Sequence, residues 1–103
     1  MDGFAPMTER IRIDKWLWHA RFYRSRVLAQ SAAASGLIRL NGVRVEKASA
    51  AVRPGDILTV PRGREVLAIR IEAVAARRGG APEARKLYSV VGGSVLDPAA
   101  AAS

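Results

Sequence analysis

The residues best placed for chemistry in this sequence are arginines. Arg26 and Gln30 stand four apart on a stretch with helical periodicity and share one face. Arg39 and Arg44 flank an Asn41-Gly42 pair, and Arg21, Arg24, Ser25 and Arg26 crowd the start of the second helical segment. A guanidinium does not act as a general base at neutral pH, but its planar fork offers two parallel donors that match a phosphate. The exposed N–H groups at a helix start add further donors for the same anion. The chemistry these types and spacings support is the grip of a polyanion, with no bond made or broken.

Catalytic alternatives lack their parts. There is no cysteine and one histidine, His19. No GxSxG elbow, P-loop or metal-ligand spacing occurs, and the nine carboxylates are scattered without an apolar-set pair at helical spacing. A lone helical histidine reads as a surface or packing residue, and the expectation is a protein that is not an enzyme and has no metal or cofactor. A chain of 103 residues supports one modest core. The absence of cysteine, of an apolar leader in MDGFAPMTER and of any membrane-length apolar stretch points to a cytoplasmic protein without membrane attachment.

The net charge is +8, and its placement is one-sided. From Arg10 to Arg53 there are ten basic residues (Arg10, Arg12, Lys15, Arg21, Arg24, Arg26, Arg39, Arg44, Lys47, Arg53) against Asp14 and Glu46, so this segment carries the whole excess and the remainder balances to zero. A merely solvated surface intersperses its signs; a one-sided field marks a polyanion site.

The elements that must hold these cations follow from periodicity. Ile13, Trp16, Leu17 and Ala20 form one stripe of a helix with Asp14 placed to cap it, and Ser25 caps a second helix whose face is Leu28, Ala29, Ala32 and Ala33, ended by Gly36. Asn41-Gly42 between alternating apolar residues specifies a two-residue hairpin, setting Leu40 against Val43, Arg39 against Arg44 and Ile38 against Val45. Arg53-Pro54-Gly55-Asp56 is a turn, Ile57 to Val60 a strand, Pro61 to Gly63 a turn and Val66 to Val74 a longer strand. Residues 75–85 read as a loop, with Arg77 and Arg78 as loop charge, and Lys86 to Val91 as a last strand. That is two helices followed by four or five short strands. Residues 1–9 and 92–103 read as mobile ends. Trp16 belongs to the core; for Trp18, Phe22 and Tyr23, core packing and base stacking are both open.

The segment RIDKWLWHARFYRSRVLAQSAAASGLIRLNGVRVEKASAAVRPGDILTV resembles the RNA-binding domain first recognised in ribosomal small-subunit protein S4. The matching features are Arg-x-Asp-Lys at Arg12 to Lys15, Ser25-Arg26-x-x-Ala29, the hairpin from Gly36 to Gly42 and the Pro54-Gly55-Asp56 turn; the wording DKWLWHARFYRSR is most similar to the bacterial heat shock protein 15 family. The resemblance implies an α/β (α+β) fold, two N-terminal helices on a small curved, mostly antiparallel sheet, with the domain over residues 10–74 and residues 75–91 completing it. It implies binding of structured ribosomal or transfer RNA without a cofactor, and association with the large ribosomal subunit in rescue or recycling under heat stress. Family contact positions fall on Arg12, Lys15, Arg24, Ser25, Arg26, Gln30, Arg39, Asn41 and Arg44; Arg21 and Lys47 join them on charge and placement. Longer family members continue into a basic C-terminal helix, where this sequence reads DPAAAAS. A monomer is expected. A DNA-binding helix-turn-helix protein, or a basic adaptor for an acidic protein, would fit the same two helices.

Overall fold

A computed structural model of the chain describes residues 10–95. The stripe Ile13, Trp16, Leu17 and Ala20 is buried as its spacing requires, on helix α1 (Ile13–His19), which follows a two-residue strand β1 (Ile11–Arg12). Helix α2 (Arg26–Ala34) packs against α1 through Ala29 and Ala33, both fully buried; their small side chains let the helices approach closely. The packed face is narrower than expected, because Ala32 is only partly buried and Leu28 is half exposed.

After Gly36 the chain forms β2 (Arg39–Leu40), β3 (Val43–Arg44), β4 (Ala51–Val52), β5 (Ile57–Arg62), β6 (Glu65–Ile71), a short helix α3 (Ala81–Arg85) and β7 (Tyr88–Val95). Five strands make one antiparallel sheet in the order β3-β2-β5-β6-β7, while β1 pairs with β4 beside it. The core lies between this sheet and the two long helices. Ile38, Val45, Val52, Leu58, Val60, Ile69 and Ile71 meet Ile13, Trp16 and Leu17 there, and the Trp16 Nε1–H donates to the Ala73 carbonyl at 3.0 Å.

The Asn41-Gly42 hairpin has the register read from sequence: Arg39 opposite Arg44 and Leu40 opposite Val43, with the Val45 N–H donating to the Ile38 carbonyl. Both turn residues have positive φ (51° and 86°), as this turn demands. Three expectations need correction. The strand from Ile57 runs on through Pro61 and Arg62, and the turn falls at Gly63; β2 reaches only Leu58 and Thr59, so at Pro61 the strand has a neighbour on one side and the missing N–H is tolerated. Residues 81–85 are helical, with Pro82 suited to a first helical turn. Gly92 to Val95, expected in a mobile tail, belong to β7, paired with β6 across a bulge between Ala68 and Ile69. Of the mobile ends expected at 1–9 and 92–103, residues 1–9 and 96–103 lie outside the described residues.

Candidate nucleic-acid interface

The interface is organised by a buried carboxylate. Asp14 is the second residue of α1 and not its cap: the residue before the helix is Arg12, and the first N–H groups of α1 donate to chain carbonyls, Ile13 to Ala50 at 2.7 Å and Asp14 to Ala48 at 3.3 Å. Asp14 is fully buried. Its Oδ1 accepts from the Lys15 N–H at 2.7 Å and from Arg12 Nε at 3.1 Å, and its Oδ2 accepts from Arg12 Nη2 at 3.0 Å. Arg26 Nε lies 3.8 Å from the same Oδ2, too far to hydrogen-bond; it is buried, with no hydrogen-bond partner among the described residues. One carboxylate thus pins two arginines from different elements, while their side chains stay 48% and 38% exposed and keep outward donors for an anion.

Ser25 caps α2 as expected, its Oγ accepting from the Leu28 N–H at 3.2 Å. The hydroxyl retains a hydrogen to donate, and the first turn of α2 adds N–H groups without intrahelical partners. Arg24 and Gln30 are exposed beside it, and Lys15 is half-buried on α1. Beyond α2, Arg39 and Arg44 stand opposite one another on the exposed side of the hairpin. The Arg44 stem lies over Gly36, where an added Cβ would come within 3.2 Å of Arg44 Cδ. Gly36 also has φ +85°, so glycine there both ends α2 and seats Arg44 beside the helix. Lys47 joins Arg44 on the rim of a groove of ≈ 310 Å³ floored by Leu40, Val43 and Val45.

Asn41 has a structural task. Its Oδ1 accepts from the Ile57 N–H at 2.9 Å and its Nδ2 donates to Asp56 Oδ1 at 3.1 Å, while Asp56 Oδ2 accepts from the Arg53 N–H at 3.0 Å. The amide therefore ties the hairpin to the Pro54-Gly55-Asp56 turn. This brings Arg10 and Arg53, absent from the expected contact set, to a polar cavity of ≈ 270 Å³ beside Asn41 and Asp56.

The corner of four expected at Arg21, Arg24, Ser25 and Arg26 is divided. Arg21 turns away, its Nε donating to the Gly79 carbonyl at 2.9 Å. Arg78 is more than loop charge: its Nε donates to the Trp18 carbonyl at 2.9 Å, its Nη2 to the Tyr23 carbonyl at 3.3 Å, and its guanidinium lies 5.4 Å from the Trp18 ring centre. Phe22 packs on Tyr88 at 4.8 Å, so it and Tyr23 flank the core, and Trp18 lies beneath Arg78. His19 is buried and its Nδ1–H donates to the Ala75 carbonyl at 3.2 Å. Burial pushes its pKa below the usual histidine value, with Lys15, Arg26 and Arg78 acting in the same direction. Among the described residues no group of three or more His, Cys, Asp or Glu could hold a metal, and no helix is long and apolar enough to cross a membrane.

Residues 11–58 match the S4 domain. A heat shock protein 15 homolog of Haemophilus influenzae is 41% identical over 87 residues, covering 84% of this chain and 66% of that protein, so the chain spans just under two thirds of this relative's length. The RQC P-site tRNA stabilizing factor of Bacillus subtilis is 39% identical over 61 residues, 59% of this chain and 70% of that protein. A trimeric structure of heat shock protein 15 from Vibrio cholerae superposes with a TM-score of 0.76 at 42% identity, covering 81% of this chain and 83% of that one.

Proposed function

On the premise that the chain belongs to the heat shock protein 15 family of S4-domain proteins, we propose that it binds structured ribosomal or transfer RNA through Arg12, Lys15, Arg24, Ser25, Arg26, Gln30, Arg39, Arg44 and Lys47. The observation that carries this reading is the pair of arginines, Arg12 and Arg26, oriented by one buried carboxylate beside a hairpin whose two arginines face outward. Fixed guanidinium groups on rigid elements match the spaced phosphates of a folded RNA better than mobile lysines would. Asn41 contributes by holding the hairpin in place.

The proposed setting is the ribosome in the cytoplasm, at the large subunit, in rescue or recycling of stalled particles. The tRNA-stabilising relative supports it, because that protein's name places it at a P-site tRNA. The proposed binding unit is one copy, since a net charge of +8 opposes the crowding of copies. No catalytic step, cofactor or metal enters the proposal. The strand-rich half from Ile57 to Val95 favours this reading over a DNA-binding helix-turn-helix.

The test is competition at fixed salt. A structured RNA hairpin is expected to displace labelled RNA from the protein at concentrations well below those of a duplex DNA of the same length; equal displacement by DNA would defeat the RNA assignment. Failure of either to bind would favour a basic adaptor for an acidic protein.

A further inference from the structure

Beyond the far end of α1 from Asp14, roughly 10 Å along the helix axis, three more arginines converge. Arg21, Arg62 and Arg85 line a cavity of ≈ 190 Å³ whose remaining wall includes Phe22 and Tyr88. The rings of Phe22 and Tyr88 are 4.8 Å apart, and the Arg62 guanidinium lies 6.0 Å from the Phe22 ring centre. The ion pairs among the described residues are Arg12 and Arg26 with Asp14, and Arg70 with Glu72, so none of these three arginines has a carboxylate partner there. Glu65 faces Arg62 across the β5–β6 ladder without pairing with it.

The chain conformation at Arg21 is unusual for its residue type. The Phe22 N–H donates to the Leu17 carbonyl and the Arg21 N–H to the Trp18 carbonyl, the two bonds of a helix ending whose left-handed position glycine normally fills. Here that position is Arg21, at φ 63°. Nothing in the helix ending calls for arginine, and the side chain it supplies reaches the cavity, steadied by the Gly79 carbonyl. An unfavourable backbone position filled by a charged residue that lines a cavity is the kind of local strain that accompanies function.

We propose that this cavity is a second anion site, which takes the phosphate of a nucleotide unit between Arg21, Arg62 and Arg85 and sets its base against Phe22 and Tyr88. Arginine forks suit the phosphate, and an aromatic wall beside them suits a base of any identity. The site is separate from the Asp14 cluster and does not rest on the RNA assignment made above, because a free mononucleotide carries the same chemistry.

The experiment is a titration of the full chain, followed by NMR, with adenosine monophosphate, adenosine, inorganic phosphate and a single-stranded hexanucleotide RNA. Adenosine monophosphate is expected to perturb Arg21, Arg62 and Tyr88 saturably and to bind more tightly than adenosine or phosphate alone. The R62A/R85A variant is expected to lose at least about tenfold in affinity, as loss of charge-assisted contacts implies, while a variant at the exposed Arg77, R77A, keeps it. R21G tests the third arginine without endangering the fold, since glycine adopts φ 63° freely; it is expected to weaken binding and leave the melting temperature equal or higher. A hexanucleotide that binds more tightly than the mononucleotide and loses the same factor in R62A/R85A identifies an RNA segment as the source, and equal affinities identify the free nucleotide. Absence of saturable binding, or binding that survives R62A/R85A, would overturn the site.

Discussion

Asp14 lies 3.8 Å from Arg26, with the carboxylate fully buried and the arginine a little over one third exposed. The two residues belong to different helices, so their attraction holds the start of the second helix against the first. Arg12 completes the cluster with two hydrogen bonds to the same carboxylate.

This cluster responds unequally to its two halves. Asp14→Ala removes charge-assisted hydrogen bonds but leaves arginines that can reach water, so a loss of about 2 kcal/mol is expected. Arg12→Ala/Arg26→Ala leaves a buried carboxylate with no cation beside it and the Lys15 N–H as its one remaining donor among the described residues, for which about 3–5 kcal/mol is expected. Urea unfolding of both variants measures the order; an Asp14 variant less stable than the double arginine variant would contradict the buried-hub description.

Across the hairpin, Arg39 and Arg44 are register partners, with Cβ atoms about 5 Å apart. Arg44→Thr removes a like-charge pair and puts a β-branched residue in a strand, so the free protein is expected to be unchanged or up to about 1 kcal/mol more stable. The same variant is expected to bind RNA less well. Thermal melts without RNA decide the first half, and a clear loss of stability would mean that the Arg44 stem over Gly36 outweighs the repulsion.

His19 sets a pH dependence whose sign is fixed by its burial. Its folded pKa lies below the ordinary 6.5, so the unfolded chain takes up a proton that the native imidazole resists. The native state therefore binds fewer protons, and stability is complete above about pH 6.5 and declines as pH falls through that value. As the chain has one histidine, melting temperatures from pH 7 to 5.5 should drop for the wild type and change less for His19→Gln. Parallel curves would show that another group carries the effect.

Asn41 should prove structural. Replacing it with Gly preserves the positive φ of the turn but removes both side-chain bonds to the Asp56 turn, and about 1–2 kcal/mol of stability is expected to go with them. If Asn41→Gly instead leaves stability intact and abolishes RNA binding, the amide is a direct contact.

Much of this fold is legible in the sequence. The buried stripe of α1, the Ser25 cap, the Gly36 ending and the hairpin register each rest on local rules of period or turn chemistry, and each is found. Asp14 reads as a cap in the sequence and is instead buried, because its partners, Arg12 and Arg26, come together only when α2 docks on α1; a short polar residue near a helix start looks the same whether it caps or is buried. The tasks of Asn41 and Arg78 depend on contacts 15 or more residues away, which periodicity does not encode. Helix α3 is not legible in the sequence, since its five residues follow Gly79 and Gly80, include Pro82 and carry no apolar period.

The central claim, that arginines fixed by the fold grip RNA phosphates, is tested most directly by the salt dependence of RNA binding. The affinity of the wild type, Arg26→Ala and Arg39→Ala for one RNA hairpin would be measured over a salt series. Each variant is expected to bind more weakly and to lower the slope of log affinity against log salt by about one unit. Unchanged slopes in both variants would place the RNA on another surface and contradict the account.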